Sequence, residues 1–286
     1  MLSWLKRKPA KPGQNGEARC GPYTLHELIN RGGMAEIWLA SSPEHKSVAL
    51  RRMRTDAEFG AKSKKAFLRG CEALARIVEH EHVIRYVEHG TWKGTPYLVM
   101  EYVEGANLRQ LVQRADPSLE EFMAVILERV AAALMHIHDN GFIHLDVKPD
   151  NVVVTSNGDV RMVDFDLVQP KPTKPVKLDS NGGTPAYMAP EQLLKEPLDH
   201  RADIYAFGVT AYELLTFKHP FTGETKEEVL RNQLNRGYNL RPPREHNPAI
   251  PALLERIILK CLERDPGQRY PFMSVLVRDL ELALKA

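Results

Sequence analysis

The sequence predicts an α+β fold in two parts, a small antiparallel sheet with one helix followed by a larger, mainly helical part. Short apolar runs separated by turn residues fill the chain from Tyr23 to Tyr102. From Leu119 onward, apolar residues recur at helical spacing. The 286 residues are enough for one large domain or for two lobes.

The N-terminal part is predicted to contain a single helix among several short strands. The helix is expected over Lys62–Glu79, where apolar residues recur on one face. These residues are Phe67, Cys71, Leu74, Ala75 and Val78. The predicted strands are Tyr23–Asn30, Glu36–Ala40, Ser47–Met53, Val83–His89 and Pro96–Tyr102.

The C-terminal part is predicted to be helical apart from one β-hairpin. The hairpin joins Val152–Thr155 to Val160–Val163 through Asn157-Gly158, a pair that suits the two positive-φ positions of a type I′ turn. Gly141 is expected to end the first long helix. The predicted helices are Leu119–Asn140, Ala202–Leu215, Lys226–Arg236, Ile250–Leu262 and Phe272–Lys285.

Composition and charge exclude several classes of function. A hydrophobic content of 43% and a charged content of 27% are ordinary for a globular protein, and a net charge of +2 gives no reason to expect nucleic-acid binding. No apolar run is long enough to cross a membrane. Cys20, Cys71 and Cys261 are far apart without C-x-x-C spacing, which indicates a reducing compartment, the cytoplasm, and disfavours a zinc site.

Residues 1–21 form a basic tail. The first 19 residues contain five Lys and Arg against the single acid Glu17, and the prolines and glycines that follow Lys8 favour disorder. The apolar Trp4 and Leu5 beside these charges leave a weak contact with a membrane or a partner as the alternative.

The run from His144 to Asn151 reads H-L-D-V-K-P-D-N and contains Asp146 and Lys148. A further acid, Asp164, lies 13 residues beyond Asn151, at the end of the predicted hairpin. Phosphoryl transfer uses this mixture, because it needs charge neutralisation and positioning with little covalent chemistry. A polar loop between strands is the alternative, which two acids, a lysine and an asparagine at this spacing disfavour.

Together with the segment G-T-P-A-Y-M-A-P-E at residues 183–191, these motifs resemble a eukaryotic-type Ser/Thr protein kinase domain of the kind also found in bacteria. The resemblance covers about residues 22–281, and it is specific because several separate motifs occur in the family's order. It implies a two-lobed fold with an N-lobe over about residues 22–102 and a C-lobe over about residues 107–281, leaving 282–286 as the C-terminal end.

The resemblance implies a role for each residue of these motifs. Asp146 would be the catalytic base, Lys148 would contact the transferred phosphate, and Thr184 would bond to both. Asn151 and Asp164 would be the ligands of Mg²⁺. ATP and Mg²⁺ are the implied cofactors, and the implied partner is a protein that offers a Ser or Thr hydroxyl, since Lys148 favours Ser/Thr over Tyr specificity.

The same resemblance implies a set of ATP-binding residues. Ile37 and Ala49 would lie above the adenine ring, and Val153 and Leu108 below it, although an ordinary core position is the alternative for each. The full set is Asn30, Gly32, Gly33, Ile37, Ala49, Arg51, Met100, Glu101, Val103, Asn107, Leu108, Val153 and Asp164.

Two positions of the predicted nucleotide site depart from the family. Arg51 stands where a lysine contacts the α- and β-phosphates, and Cys71 stands where a helix glutamate pairs with that lysine. Three explanations are open: Arg51 reaches the neighbouring Glu72, or it reaches phosphate without a carboxylate partner, or the pair has decayed.

Two further departures concern regulation and backbone shape. Leu145 replaces the arginine that normally pairs with a phosphorylated activation loop, and Asp166 replaces the glycine of D-F-G, where it should restrict the backbone.

Three functions are therefore considered: an active Ser/Thr kinase, a pseudokinase that acts as a nucleotide-binding or interaction scaffold, and a small-molecule phosphotransferase. The A-P-E segment at residues 189–191 disfavours the third, because it builds a platform for protein substrates. The presence of Asp146, Asn151 and Asp164 favours the first.

Overall fold

The computed structural model describes residues 18–54, 60–178 and 182–285. The chain divides into two compact units, a smaller one up to Cys71 with Arg85–Val103 and a larger one of Glu72–Ile84 with everything from Glu104 on. Residues 72–84 thus group with the larger unit, although the sequence assigned them to the N-terminal part. The predicted contacts of Trp4 and Leu5 lie outside the described residues.

The smaller unit contains a six-stranded antiparallel sheet with strand order β1-β2-β3-β4-β6-β5. One face of this sheet is an apolar core that includes Leu25, Val48, Leu50 and Val99, onto which Trp38 packs. The strands of this unit are β1 (Arg19–Cys20), β2 (Tyr23–Arg31), β3 (Ala35–Ser41), β4 (Val48–Met53), β5 (Tyr86–Trp92) and β6 (Thr95–Glu101). Helix α1 (Ala61–Arg76) begins in this unit, and its last five residues group with the larger one.

Helix α1 ends three residues earlier than predicted, and its buried face is partly different. Cys71 and Leu74 are buried as expected, but Ala75 and Val78 are exposed, and Ile77 is buried instead. The buried stripe continues from Leu74 to Ile77 at a spacing of three, and the helix has already ended before Val78. The predicted shared face was therefore wrong at its C-terminal end.

Strand β5 also begins later than the predicted Val83–His89. Val83 forms an isolated parallel bridge with Met162 of the larger unit, and the Ile84 amide donates to the Met162 carbonyl at 3.0 Å. The apolar pair at 83–84 therefore belongs to the larger unit rather than to the sheet of the smaller one.

The larger unit is mainly helical. Its long helices are α3 (Ser118–Asp139), α5 (Arg201–Thr216), α6 (Lys226–Leu234), α8 (Ala252–Cys261) and α9 (Met273–Lys285). The unit is built around α5, which is buried along almost its whole length. Helices α3 and α9 pack on each other, and α8 packs against α5. Shorter elements that the sequence did not predict are β7 (Ala106–Asn107), α2 (Leu108–Arg114), β8 (Phe142–Ile143), β11 (Gln169–Pro170), α4 (Pro190–Leu193) and α7 (Pro243–His246).

The predicted hairpin is present as β9 (Val152–Val154) and β10 (Val160–Met162), but its turn differs from the prediction. Gly158 has a φ of +80°, whereas Asn157 has no positive φ, so the turn is not type I′. Residues 155–159 form a five-residue loop, closed by the Thr155 amide donating to the Asp159 carbonyl at 2.9 Å. The Asn157 side chain donates to the Asp159 carboxylate, and these local polar bonds decide the loop shape.

Within the three described ranges, no helix has both the length and the apolar character needed to span a membrane.

The contact between α5 and α8 gives a test of the core of the larger unit. A Cβ added at Gly208 would lie 2.6 Å from the Cβ of Cys261, so the two helices would have to separate. We expect Gly208→Ala to lower the free energy of unfolding by about 1–3 kcal/mol, despite the better helix propensity of alanine. Urea denaturation measures the change.

The matched control is Gly60→Ala, since a Cβ at Gly60 meets no atom within 4 Å. This control should leave stability unchanged or raise it by less than about 1 kcal/mol. Equal stability of Gly208→Ala and the wild type would show that α5 and α8 separate without cost.

Candidate active site

Asp203, in helix α5, is fully buried at 0% exposure and accepts three hydrogen bonds. Its carboxylate accepts from the backbone amides of His144 at 2.8 Å and Leu145 at 2.7 Å, and from His138 Nε2 at 2.8 Å. Burial alone would raise the pKa of Asp203, but the bonds from His138 and His144 hold it below its usual range. The charged carboxylate therefore fixes the start of the loop at residues 144–151.

Leu145 shows what this anchoring achieves. Its φ of +64° is in the left-handed region, which costs a residue with a Cβ about 1–2 kcal/mol. Its side chain is buried, and its amide is one of the two that Asp203 holds. The departure from arginine at this position thus places an apolar side chain in the interior, directly before Asp146.

The predicted catalytic residues lie together at the end of this loop. Lys148 Nζ donates to Asp146 Oδ2 at 2.7 Å and to Thr184 Oγ1 at 2.8 Å. Asn151 Nδ2 donates to Asp146 Oδ2 at 2.9 Å and to the Asp146 carbonyl at 2.8 Å. Residues 36 positions apart are therefore joined in one cluster around the Asp146 carboxylate.

Thr184 is held beside the loop by its neighbours. Gly183 has a φ of +127°, and a Cβ there would lie 2.9 Å from Met188 Cε and 3.4 Å from the Leu145 carbonyl. The buried Gln192 donates to the Leu145 carbonyl at 3.4 Å. The segment that carries Thr184 therefore packs closely on the loop of Asp146, and Gln192 is a support that the sequence did not reveal.

Asn151 and Asp164 are positioned to offer oxygen atoms to a cation. Since the Asn151 amide nitrogen is used on Asp146, its Oδ1 is the atom left for a ligand. The Val163 amide donates to the Asn151 carbonyl at 2.9 Å, which brings the following residue, Asp164, next to Asn151. Carboxylate and amide oxygens are the ligand types that Mg²⁺ prefers.

No group of three or more His, Cys, Asp or Glu side chains in the described ranges is arranged to hold a metal ion. Two protein ligands nevertheless fit Mg²⁺, which commonly takes its remaining ligands from substrate phosphates and water.

Asp166 does not strain the backbone at the position where the family has glycine. It is absent from the positive-φ residues, and its amide donates to Asp164 Oδ1 at 3.4 Å. The restriction expected from this substitution therefore has no structural cost, because the conformation is one that Asp adopts readily.

In the smaller unit, four of the predicted nucleotide residues share one face of the sheet. Ile37 is directly opposite Arg51, and Ala49 is directly opposite Met100. Because opposite residues in antiparallel strands lie on the same side, this face is the one turned away from the apolar core around Leu50.

Arg51 is nearly buried, at 9% exposure, and its guanidinium lies over the Phe67 ring at 5.0 Å from the centroid. Cys71, one helical turn after Phe67, is buried, whereas Glu72 is exposed on the outer side of α1. Cys71, not Glu72, therefore shares the helix face that Arg51 contacts, as the alignment with the family glutamate predicted. This burial pattern disfavours the explanation in which Arg51 reaches Glu72.

The loop at Gly32 and Gly33, two of the predicted ATP-binding residues, is held by Arg54. Its Nη1 donates to the carbonyls of Gly32 and Gly33, each at 3.2 Å. The loop is closed by the Gly32 amide donating to the Ala35 carbonyl at 2.9 Å, and Asn30 before it is exposed.

The remaining predicted nucleotide residues have different environments. The carboxylate of Glu101 accepts from the Arg85 amide at 3.0 Å, and Val103 is partly exposed. Asn107 is directly opposite Val153 in the pair of β7 and β9, and its side chain caps α2 by accepting from the Gln110 amide at 2.9 Å.

The two residues predicted below the adenine ring differ in exposure. Leu108 is fully buried at 0% exposure as the first residue of α2. Val153 is partly exposed. The burial of Leu108 agrees with the alternative explanation, an ordinary core position, and its contact with nucleotide stays a prediction.

Glu191 and Arg269 form a buried, bidentate ion pair. Arg269 Nη1 and Nη2 donate to the two Glu191 carboxylate oxygens at 2.7 and 2.8 Å. Arg269 also donates to three backbone carbonyls, so the buried charge is fully hydrogen-bonded.

Comparison with known proteins identifies the family of the chain. A family model described as the protein kinase domain matches residues 23–280. Serine/threonine-protein kinase PrkC of Bacillus subtilis is 29% identical, over 95% of this chain and 42% of the relative. Serine/threonine-protein kinase Pkn1 of Myxococcus xanthus is 33% identical, over 93% and 39%. Serine/threonine-protein kinase PknB of Mycobacterium leprae is 30% identical, over 90% and 42%, so the chain spans about two fifths of these curated relatives.

The anchoring role of Asp203 predicts a pH-dependent loss in Asp203→Asn. An amide replaces one carboxylate oxygen with a donor, which faces either the amide of Leu145 or the donors of His138 and His144. The free energy of unfolding should therefore fall by about 3 kcal/mol at pH 7. Because the folded-state pKa is depressed, this stabilisation is present above the unfolded pKa of about 3.9 and is lost as pH falls through the folded pKa.

Urea unfolding of wild type and variant from pH 7 to pH 3 measures the difference, which should shrink below about pH 4. The control Glu281→Gln alters an exposed carboxylate 3.8 Å from Lys285 and should change stability by less than about 0.5 kcal/mol. A deficit that is constant across this pH range would show that Asp203 acts through shape and not through charge.

Proposed function

Because the chain belongs to the protein kinase domain family, we propose that it transfers the γ-phosphoryl group of ATP to a serine or threonine hydroxyl of a protein substrate. The observation that carries this proposal is the cluster in which Lys148 bridges Asp146 and Thr184 at 2.7 and 2.8 Å. The Asp146 carboxylate, the Lys148 ammonium and the Thr184 hydroxyl are already in hydrogen-bond contact. Phosphoryl transfer requires a base and a positive charge placed together in this way.

Each side chain of the cluster has a definite task in this reaction. The Asp146 carboxylate accepts the proton of the substrate hydroxyl as the oxygen attacks phosphorus. The Lys148 ammonium neutralises charge on the transferred group, and Thr184 keeps that ammonium in place. Asn151 donates to the same Oδ2 of Asp146 that Lys148 contacts and also to the Asp146 carbonyl, so the carboxylate is held against rotation.

Asn151 and Asp164 are the residues that would hold Mg²⁺. Bound there, the cation would supply charge neutralisation on the β- and γ-phosphates. The nucleotide-binding role of the face of Ile37, Ala49, Arg51 and Met100, and of Val153 in the larger unit, is part of the same proposal.

The relatives support a protein substrate, since each is named a serine/threonine-protein kinase. We also propose a cytoplasmic location. The three cysteines, all within the described ranges, form no disulfide.

The deciding experiment is an assay of the purified chain with labelled ATP, Mg²⁺ and a generic protein substrate. Label should appear on serine or threonine, and Asp146→Asn should reduce the rate by at least about 1,000-fold, because base and phosphate geometry act as one unit. A wild type that binds nucleotide but transfers no label would instead be a scaffold.

Nucleotide binding is predicted to depend on Asp164. With ATP and Mg²⁺ at about 100 times Kd, a ligand that binds only the folded state adds about 2.7 kcal/mol, which corresponds to a rise in Tm on the order of 5 °C. Asp164→Ala should lose most of this rise, and so should the wild type with EDTA. An undiminished shift in Asp164→Ala would remove this residue from the proposed metal site.

Restoring the family residues at positions 51 and 71 is predicted to speed the reaction. Arg51 lies over Phe67, and Cys71 follows Phe67 by one turn on the same buried face of α1. A glutamate introduced by Cys71→Glu would therefore face a lysine introduced by Arg51→Lys. The double variant Arg51→Lys with Cys71→Glu should exceed the wild type, and should exceed the product of the two single effects by at least about 3-fold.

The single variants and the double variant are compared by kcat and by KM for ATP. A lower rate for Arg51→Lys with no gain in the double variant would show that Arg51 is itself an adapted phosphate ligand.

A further inference from the structure

Arg109, in the first turn of α2, contacts side chains from three separate segments of the larger unit. Its Nε lies 3.3 Å from Asp150 Oδ2, and its Nη1 lies 2.5 Å from Glu213 Oε1. Its Nη2 donates to the hydroxyl of Tyr187, which in turn donates to the second carboxylate oxygen of Glu213. All three guanidinium nitrogens are therefore used.

The three partners stand next to the proposed catalytic residues. Asp150 lies between Lys148 and Asn151, in the short 3₁₀ turn Pro149–Asn151. Tyr187 ends the turn that directly follows Thr184. Arg109 thus connects the loop that carries Asp146 to the segment that carries Thr184.

Glu213 anchors Arg109 to a rigid helix. It lies in α5, the helix that also carries Asp203, and is only 8% exposed. A carboxylate this deeply buried requires a cation, and a guanidinium satisfies it with two nitrogens in a fixed plane. The sharing of one guanidinium among three partners fixes their relative positions, which a flexible ammonium cannot do.

The protonation states fit this arrangement. Burial and the nearby Glu213 carboxylate raise the pKa of Tyr187, so its phenol stays protonated and donates. Burial alone would lower the pKa of Arg109, but its bonds to Glu213 and Tyr187 raise it above its usual value. Asp150 is the outermost member, with a side chain that is 45% exposed.

We propose that Arg109 is a positioning residue for phosphoryl transfer, which sets the loop of Asp146 and Lys148 against the segment of Thr184. This inference rests on the proposed kinase function. It predicts that the loss of Arg109 affects the chemical step and the use of the protein substrate, while nucleotide binding is retained.

The test uses Arg109→Gln, Arg109→Lys and the double variant Arg109→Met with Glu213→Leu. The double variant removes both buried charges together, which avoids leaving Glu213 buried without a cation. It therefore separates the effect of Arg109 on stability from its effect on the loops. The control is Arg129→Gln, since Arg129 is a similarly exposed arginine that contacts Asp159 at 2.7 Å.

In the labelled-ATP assay, Arg109→Gln should lower kcat by about 10- to 100-fold, the loss typical of small displacements of reacting groups. The KM of Arg109→Gln for ATP should stay within about 2-fold of the wild-type value. The kcat of Arg109→Lys should lie between that of Arg109→Gln and that of the wild type, and the kcat of Arg129→Gln should match the wild type. The double variant should stay slow even where its thermal stability equals that of the wild type. A wild-type kcat in the stable double variant would overturn the proposal.

Hydrogen exchange supplies a readout that does not depend on activity. Amides of residues 145–151 and 185–188 should exchange faster in Arg109→Gln and in the double variant, but not in Arg129→Gln. If the wild type transfers no phosphate, the kinase proposal fails, and this measurement still decides whether Arg109 orders the two segments. Unchanged exchange at both segments would refute the positioning role, whatever the activity of the wild type.

Discussion

The arrangement of the larger unit depends on one buried carboxylate, that of Asp203. Removing a charged group from water is unfavourable unless hydrogen bonds replace the lost hydration, and Asp203 accepts from His138 and from the amides of His144 and Leu145. Two consecutive amides bound to one carboxylate leave the chain little freedom, and they hold Leu145 at a φ that leucine otherwise avoids. Asp146 follows directly, so the direction of the proposed base is set by a residue that never contacts the substrate.

Helix α5 carries a second buried acid, Glu213, which performs the same task for other segments. Asp203 and Glu213 are ten positions apart, which corresponds to about 15 Å along a helix. Asp203 binds backbone amides at the start of the loop. Glu213 binds Tyr187 and also Arg109, which contacts Asp150 near the end of the loop. The helix itself is packed on nearly all sides, so both acids are fixed relative to each other. The loop and the Thr184 segment are therefore positioned by two anchors on one rigid element.

The sequence predicted the parts of this site that depend on local pattern, and it missed those that depend on distant pairing. The spacing of Asp146, Lys148 and Asn151 is visible within one loop. Arg109 and Glu213 lie 104 residues apart, so no local pattern links them. The predicted type I′ turn at Asn157-Gly158 was wrong for a different reason. Hydrogen bonds among neighbouring polar groups outweighed the turn preference of Asn-Gly. The sequence left two explanations for Leu108, because an apolar residue fits a core and a ligand site equally well, and its side chain is fully buried.

An arginine at position 51 suits a site that has a cysteine, and not a carboxylate, at position 71. A lysine ammonium at position 51 would be a compact, strongly hydrated charge, and without a carboxylate at position 71 its burial would be unfavourable. A guanidinium is more weakly hydrated and gains from an aromatic face, which Phe67 supplies at 5.0 Å. The thiol of Cys71, in turn, leaves the helix face without a charge that needs a partner of its own. Arg51 is thus held by burial and by stacking on Phe67, where the family has a charged pair. The change at position 51 therefore leaves a positioned cation for the proposed contact with phosphate.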